Sequence, residues 1–332
     1  MTHQKAMNQG DRDANDENGD LARQEDSSRL MIDRRFVERL YRLETTVRVN
    51  EALSKHTTFG IGGRVPLYVQ PLERRALPEI VPLLKESGRE CKILGIGSNV
   101  LPDDGPLSFI VLDTTGLIGY SQESEGFRVE AGYPLRQLSR LFYARGWSGL
   151  EFSAGIPGTV GGGVLMNAGA YGSQIGDLVL EVEAFDWDSE CLRVYPQGEC
   201  AFSYRSSRFS QSGELITRVL LKTPPGERAE IGDRMREFER QRINKQPLEQ
   251  GSAGSIFKKP AADFHVGKVI EELGLKGRRY GGARVSSLHG GFIVNEGSAT
   301  SADVRALIDL IRTRVHQAYG IELELEIRLW SH

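Results

Sequence analysis

Apolar and polar residues follow two different periods along this chain from about residue 36 onward. Short runs with period two, or of continuous apolar residues, predict strands, and apolar residues three and four apart predict helices. These patterns predict helices at 36–43, 134–145 and 229–243, strands at 65–69, 92–95, 110–113 and 127–131, and a β-rich stretch at 178–224. The chain is therefore expected to be a mixture of helices and strands.

The C-terminal end carries the clearest pattern. Thr300 and Ser301 offer a helix N-cap, with Asp303 in the first turn. Apolar residues then recur at helical spacing as far as Gly320, which is typical of a helix end. Residues 321–329 then alternate strictly between apolar and polar side chains. This alternation predicts a strand with one apolar and one charged face.

Composition limits the possible partners and compartment. Residues 1–35 are polar and nearly free of aromatic residues, which predicts a disordered tail because they bury too little apolar surface to offset the entropy of ordering. The formal net charge of −3 does not favour nucleic acid, and no apolar run reaches the roughly 18 residues of a membrane helix. Without a leader pattern, the expected location is the cytoplasm.

The three cysteines do not suggest a metal site. Cys91, Cys191 and Cys200 have neither C-x-x-C nor Cys/His spacing, so they are predicted to be free thiols in a reducing compartment. No metal and no obligate protein partner are expected.

Three glycine-rich segments are candidates for holding a phosphate: 58–63, 94–99 and 154–163. Without a Cβ, successive backbone N–H groups can converge on one ligand. Each segment alone is more typical of an ordinary turn. None matches the Rossmann pattern G-x-G-x-x-G or the phosphate-loop pattern G-x-x-x-x-G-K-[ST]. A dinucleotide would have to be held in another way, and the small residues of 166–172 suit packing around an aromatic ring system.

Taken together, these segments resemble one family. The strings AGIPGTVGGGVLMNAGAYG at 154–172, FGIGG near 60 and LGIGSN at 94–99 are similar to those of UDP-N-acetylenolpyruvoylglucosamine reductases, and the resemblance runs from about 56 to 330. It implies an α+β fold with an FAD-binding unit of the vanillyl-alcohol-oxidase (PCMH) type. That unit would comprise two α/β lobes, 36–105 and 106–225, followed by a C-terminal α/β substrate-binding domain at 226–332.

The resemblance also implies a non-covalently bound FAD, with its pyrophosphate on the glycine-rich backbone. The residues expected to contact the cofactor are Gly62, Gly63, Gly95, Gly97, Ser98, Asn99, Gly155, Ile156, Pro157, Gly158, Gly161, Gly162, Asn167 and Gly169.

Three further residues are carried over as catalytic. Arg205 matches the family's Y-R-x-S motif as the cation that stabilises an enolate-like intermediate, and Ser255 matches the second serine of S-A-G-S-x-F-K-x-P as the proton donor. Glu326 matches the glutamate of the terminal E-[VI]-R motif, which would assist protonation or hold the enol. Alone, Arg205 is typical of a solvated arginine and Ser255 of a turn serine. The alternation at 321–329 does not separate Glu326 from Glu322 and Glu324.

Substrate contacts are implied for Tyr204, Lys245 and Lys259. Lys259 stands where many relatives have Asn or Arg, Gly251 where proline is common, and Gly163 where alanine is frequent. Only 50 positions separate Arg205 from Ser255, which resembles the shorter variant of the family without an extra substrate-covering insertion.

The implied function is that of an oxidoreductase in cell-wall precursor synthesis, a UDP-N-acetylmuramate dehydrogenase. NADPH would reduce FAD, and reduced FAD would give a hydride to UDP-N-acetylglucosamine enolpyruvate, yielding UDP-N-acetylmuramate. Two other hypotheses are an oxidase of alcohols or aldoses on the same fold and a non-catalytic module that binds a UDP-sugar or nucleotide. Rapid flavin reoxidation by oxygen would favour the first, and failure to acquire FAD would favour the second.

Overall fold

A mixed four-stranded sheet forms the first lobe of the computed structural model, which describes residues 32–331. The sheet order is β1-β2-β5-β3, with β1 antiparallel to β2 and the remaining pairs parallel. Helix α2 covers it with buried leucine, isoleucine and valine side chains. The elements are α1 (Arg34–Tyr41), β1 (Thr45–Ala52), β2 (Arg64–Pro71), α2 (Leu77–Glu86), β3 (Cys91–Leu94), β4 (Val100–Pro102) and β5 (Ile110–Asp113).

The second lobe is built on an antiparallel five-stranded sheet of order β11-β10-β12-β7-β6. Apolar residues of α3 and α4 pack with those of β7, β10 and β12 in its core. The elements are β6 (Tyr120–Gln122), β7 (Phe127–Glu130), α3 (Leu135–Arg145), α4 (Val160–Leu165), β8 (Gly169–Ala170), β9 (Ser173–Gln174), β10 (Val179–Asp186), β11 (Cys191–Pro196), α5 (Phe209–Ser212), β12 (Leu215–Leu221) and α6 (Arg228–Lys245).

The third unit packs two helices with a small antiparallel sheet of order β13-β14-β15. The predicted caps of its long helix are present, because Thr300 and Asp303 form a reciprocal capping box and Gly320 adopts the left-handed conformation. The elements are α7 (Val266–Glu272), β13 (Arg279–Tyr280), β14 (Ala283–Val285), β15 (Ile293–Asn295), α8 (Ser301–Tyr319) and β16 (Arg328–Trp330). Within residues 32–331, no helix combines the length and the apolar character needed to cross a bilayer.

Three predicted boundaries differ from the structure. Most of the predicted tail, residues 1–31, lies outside the described residues, but the tail cannot extend to 35 because Asp33 caps a helix that begins at Arg34. The predicted lobe boundary at 105/106 would remove β5 from a sheet in which it pairs with both β2 and β3. Helix α6, assigned by prediction to the third unit, packs through Ile231 and Met235 on the second lobe.

The predicted terminal strand at 321–329 is wrong over most of its length. Only Arg328–Trp330 forms a strand, which pairs in parallel with β4 and so ties the C-terminal segment to the first lobe. The preceding residues form an irregular segment along 256–258. It pairs there through one isolated antiparallel bridge, between Phe257 and Leu325, rather than as a strand of a continuous sheet.

Candidate active site

The loop after β3 is held tightly against its surroundings. Gly97 has φ +66°, and a Cβ there would lie 2.1 Å from the carbonyl oxygen of His56. The Ser98 hydroxyl donates to the carbonyl of Pro157 at 2.8 Å, and the Asn99 side-chain amide donates to the carbonyl of Glu326 at 3.0 Å. The predicted cofactor residues Ser98 and Asn99 thus connect three segments that are distant in sequence.

The segment 154–163 faces this loop. Thr159 caps α4 by accepting from Gly162 N, and a Cβ at Gly95 would lie 2.7 Å from Thr159 Oγ1. Gly95 is therefore required for the close approach of the two glycine-rich segments. Residues 156–158 remain at the edge of the space between them.

Arg205 occupies a tight turn. Ser203 and Ser206 exchange backbone hydrogen bonds of 3.0 and 3.3 Å, and Arg205 between them has φ +53°. Its Nε donates to Glu326 Oε1 at 2.8 Å and its Nη2 donates to Gly169 O at 2.9 Å. The guanidinium is fixed from two sides by this pair of contacts.

Ser255 lies next to this ion pair. The strand-like segment 255–258 runs between two others, because Ile256 N donates to Gly291 O and Glu326 N donates to Ile256 O at 2.8 Å. Gly254, with φ +78°, allows the turn that precedes Ser255. Among the described residues, none is hydrogen-bonded to the Ser255 hydroxyl, which faces two cavities.

The two cavities meet at the predicted catalytic residues. The first, of about 290 Å³, lies between the glycine-rich segments and 253–255. The second, of about 440 Å³, lies between the third unit and the turn at 204–205. Arg205, Ser255 and Glu326 line both. The predicted cofactor residues in the first cavity are Gly95, Gly97, Ser98, Asn99, Ile156, Pro157, Gly158, Gly162 and Gly169.

Several predicted site residues line neither cavity. Gly62 and Gly63 lie against the chain at 102–105, where a Cβ at Gly63 would be 1.8 Å from Gly105 O. Gly161 packs in the same way against Ala131, and Gly155 against the Arg242 side chain. Close packing against neighbouring chain segments explains Gly62, Gly63 and Gly161, whereas Gly155 contacts a flexible side chain. Among the predicted substrate residues, Tyr204 and Lys259 line the second cavity.

Asn167 and Lys245 also lie away from both cavities. Asn167 is buried with its side chain hydrogen-bonded to protein groups, and Lys245 ends α6 on the surface. The structure thus gives no support to Lys245 as a substrate contact.

Arg242 and Gln246 are among the residues of the first cavity that sequence reasoning missed. Arg242 Nε and Gln246 Oε1 are buried without a hydrogen-bonding partner among the described residues. Pro247 ends α6 by forcing Gln246 into an extended conformation, φ −125° and ψ 144°. The proline was a usable signal for the helix end. Nothing in the sequence distinguishes Arg242 from the other arginines of α6.

Burial shifts the pKa values of three charged side chains that line the first cavity. It raises the pKa of Glu326, against the opposing effects of Arg205 and Lys258. It lowers the pKa of Arg242, which has no carboxylate partner among residues 32–331, and lowers that of Arg328. A buried guanidinium without a carboxylate favours an anionic ligand, because arginine stays charged in proteins.

Comparison with known proteins gives consistent results over the whole site. A model described as an FAD binding domain matches residues 65–195, and one of the C-terminal domain of UDP-N-acetylenolpyruvoylglucosamine reductase matches 246–330. The UDP-N-acetylenolpyruvoylglucosamine reductase of Thermotoga maritima is 44% identical over 281 residues, which cover 84% of this chain and 97% of that protein. The one from Thermotoga sp. strain RQ2 is 42% identical over 296 residues, covering 89% and 97%.

A solved structure agrees with these sequence comparisons. The crystal structure of UDP-N-acetylenolpyruvylglucosamine reductase from Thermus caldophilus superposes with a TM-score of 0.73 at 34% identity, covering 86% of this chain and 98% of that one. Since the FAD-binding match includes the glycine-rich segments of the first cavity, the fold and the site define a flavin-dependent oxidoreductase. The chain belongs to the UDP-N-acetylenolpyruvoylglucosamine reductase family. The resemblance drawn from the motifs and the expected fold class are confirmed.

The residues of the first cavity fit FAD. The cofactor has an anionic pyrophosphate and a flavin ring with polar edges. The cavity offers glycine-rich backbone together with Arg242 Nε and Gln246 Oε1, which have no hydrogen-bonding partner within residues 32–331. The residues that would hold the cofactor are therefore those of 95–99 and 156–158, with Arg242 and Gln246.

Proposed function

We propose that the chain catalyses NADPH-dependent reduction of UDP-N-acetylglucosamine enolpyruvate to UDP-N-acetylmuramate, with Ser255 as the proton donor. One observation carries the proposal: Arg205, Ser255 and Glu326 lie together where the cavity that fits FAD meets the second cavity. A substrate in the second cavity would have its enolpyruvyl group at this junction.

Arg205 binds the substrate carboxylate in this proposal. FAD, when bound and reduced by NADPH, supplies the hydride for the terminal carbon of the enolpyruvyl group. Negative charge then spreads from the neighbouring carbon into the carboxylate, where a guanidinium provides directed hydrogen bonds as well as charge. The contacts of Arg205 with Glu326 and Gly169 hold it in one orientation before the charge develops.

Ser255 completes the reduction by donating its hydroxyl proton to that neighbouring carbon. A serine hydroxyl is a weak acid, but the carbanion is strongly basic, so proton transfer is favourable once charge has formed. The serine oxygen recovers a proton from solvent. Glu326, with its pKa raised by burial, supports protonation beside Ser255. Its neighbours Glu322 and Glu324 are 81% and 73% exposed, against 17% for Glu326, which favours Glu326 for the role.

The second cavity suits the sugar nucleotide. Arg205, Lys259 and Lys268 line it against Glu271 and Glu326. Glu271 is also paired with Lys276 at 3.0 Å, and Lys268 lies 3.6 Å from Glu272. This excess of positive charge favours a diphosphate. Tyr204 and Lys259 are adjacent there, with Lys259 N 3.5 Å from the Tyr204 hydroxyl. We therefore retain both as proposed substrate contacts.

Replacing Arg242 with methionine is expected to weaken FAD binding by about 10- to 100-fold, the range for loss of a hydrogen bond to a charged group. Methionine keeps a flexible apolar stem against Gly155 but removes a guanidinium that has no carboxylate partner in the described part of the chain. The measurement is the FAD dissociation constant from flavin fluorescence. Arg240→Met is the matched control, because Arg240 lies on the same helix and is paired with Glu237 on the surface. Equal affinities for the two variants would exclude Arg242 as a cofactor contact.

The proposed function is tested by anaerobic NADPH oxidation with the FAD-loaded protein. We expect a single stoichiometric reduction of the flavin without the sugar nucleotide and multiple turnovers with it. Flavin reduction that never turns over with UDP-N-acetylglucosamine enolpyruvate would contradict the assigned substrate. Rapid reoxidation by oxygen without any sugar nucleotide would instead support an oxidase.

A further inference from the structure

Asn167 matches a cofactor-binding segment in sequence, but its side chain is connected to the turn that carries Arg205. It lies outside both cavities, is 1% exposed and has φ +42°, a conformation uncommon for residues other than glycine. We propose that Asn167 is a positioning residue that fixes the Arg205 guanidinium. This inference rests on the proposed function, in which Arg205 binds the substrate carboxylate.

The Asn167 side chain makes three hydrogen bonds, two with backbone groups and one with the Gln174 side chain. Its Nδ2 donates to Ser203 O and to Gln174 Oε1, both at 2.9 Å, and its Oδ1 accepts from Gly176 N at 3.1 Å. A Cβ at Gly176 would lie 2.8 Å from that oxygen. The amide is therefore enclosed, with both of its donor hydrogens and its acceptor in use.

Two of these bonds connect Asn167 to Arg205, one through the turn that begins at Ser203 and one, less directly, through the Gln174 side chain. Ser203 is the first residue of the tight turn in which Arg205 has a positive φ, so the bond to its carbonyl fixes where that turn begins. Gln174 pairs across the β8–β9 hairpin with Gly169, whose carbonyl accepts from Arg205 Nη2. Asn167 thus fixes the position of the Arg205 backbone relative to the Gly169 carbonyl, which is one of the two groups that accept hydrogen bonds from the Arg205 side chain.

The residue type follows from these contacts. Aspartate has the same size but no donor, and it would place a carboxylate against the Ser203 carbonyl. Alanine would lose all three bonds and keep the backbone strain, whereas glycine adopts a positive φ easily. Asn167→Gly therefore removes the side-chain bonds with the least disturbance of the backbone.

The test is a double-mutant cycle on FAD-loaded protein with Asn167→Gly and Arg205→Ala. We expect Asn167→Gly to slow flavin reoxidation by the sugar nucleotide by about 100-fold, the cost of displacing a catalytic group by about 1 Å. FAD affinity and flavin reduction by NADPH should be unchanged. In the Arg205→Ala background, Asn167→Gly should have no further effect, because the group it positions is gone. The same loss of rate in both backgrounds would overturn the proposal.

Asn295→Ala provides the matched control. The Asn295 side chain also bonds to backbone groups, donating to Phe59 O and accepting from Gly297 N and Ala299 N, but none of these is in contact with Arg205. Any rate loss from Asn295→Ala should be equal in the wild-type and Arg205→Ala backgrounds.

A crystal structure of the FAD-loaded Asn167→Gly variant separates this inference from the proposed function. We expect Arg205 Nε to move beyond about 4 Å from Glu326 Oε1, the limit for an ion pair. Retention of the 2.8 Å contact would overturn the positioning role, whatever substrate the enzyme uses. Failure of the wild-type protein to turn over with the sugar nucleotide would instead refute the proposed function alone.

Discussion

Replacing Ser255 with alanine is expected to slow reduction of UDP-N-acetylglucosamine enolpyruvate by about a thousandfold, within the range contributed by a positioned proton donor. Reduction of the flavin by NADPH should proceed normally, because that half-reaction needs no proton from Ser255. Stopped-flow absorbance of the flavin under anaerobic conditions measures both half-reactions on the same sample. The expected result is a rapid first phase with NADPH and a very slow second phase with the sugar nucleotide.

Ser252→Ala is the matched control for this experiment. Ser252 lies three residues earlier in the same motif, lines neither cavity and is held through its backbone N–H to Thr58 O at 3.1 Å. Its second phase should be as fast as that of the wild type. If Ser255→Ala reoxidised at the wild-type rate, the proton would have to come from another group. Glu326, which lines the same junction, would be the first to examine.

Sequence reasoning succeeded where the signal is local. The capping box at Thr300 and the left-handed Gly320 define the ends of α8 through contacts within a few residues, so their pattern alone determines the helix. The motifs around Arg205, Ser255 and Glu326 are a different case, because they identified residues that the fold brings together from segments up to 121 positions apart. That association depended on the family resemblance, since no local rule relates the three motifs.

The failures share a tertiary cause. Residues 321–327 alternate as a strand would, but their backbone hydrogen bonds to the segment 256–258 involve Glu324 and Glu326 alone. The charged side of this irregular segment is also not uniformly exposed, because Glu326 is turned into the site and is only 17% exposed. Similarly, Gly63 and Gly161 match a glycine-rich pattern but are required by neighbouring chain segments rather than by a ligand. Arg242 lines the first cavity only because α6 packs on the second lobe. None of these contacts is encoded within a short window of sequence.

Replacing Arg205 with lysine is expected to slow reduction of the sugar nucleotide by about 100-fold although the positive charge is kept. Arg205 donates at once to Glu326 and Gly169, and its planar group can still present a further N–H to the substrate carboxylate. A lysine ammonium is a point charge on a flexible stem and cannot keep this geometry. Steady-state kinetics should show the loss mainly in kcat, because charge in the carboxylate grows only as the reaction proceeds.

Arg208→Lys tests whether this loss is specific to the site. Arg208 lies three residues later, stacks over Tyr195 at 4.0 Å and pairs with Glu214, and it lines neither cavity. Its variant should retain the wild-type kcat even if the protein is less stable. A wild-type kcat for Arg205→Lys would mean that charge alone suffices at this position. The contacts that orient the guanidinium would then serve the fold of the turn rather than the reaction.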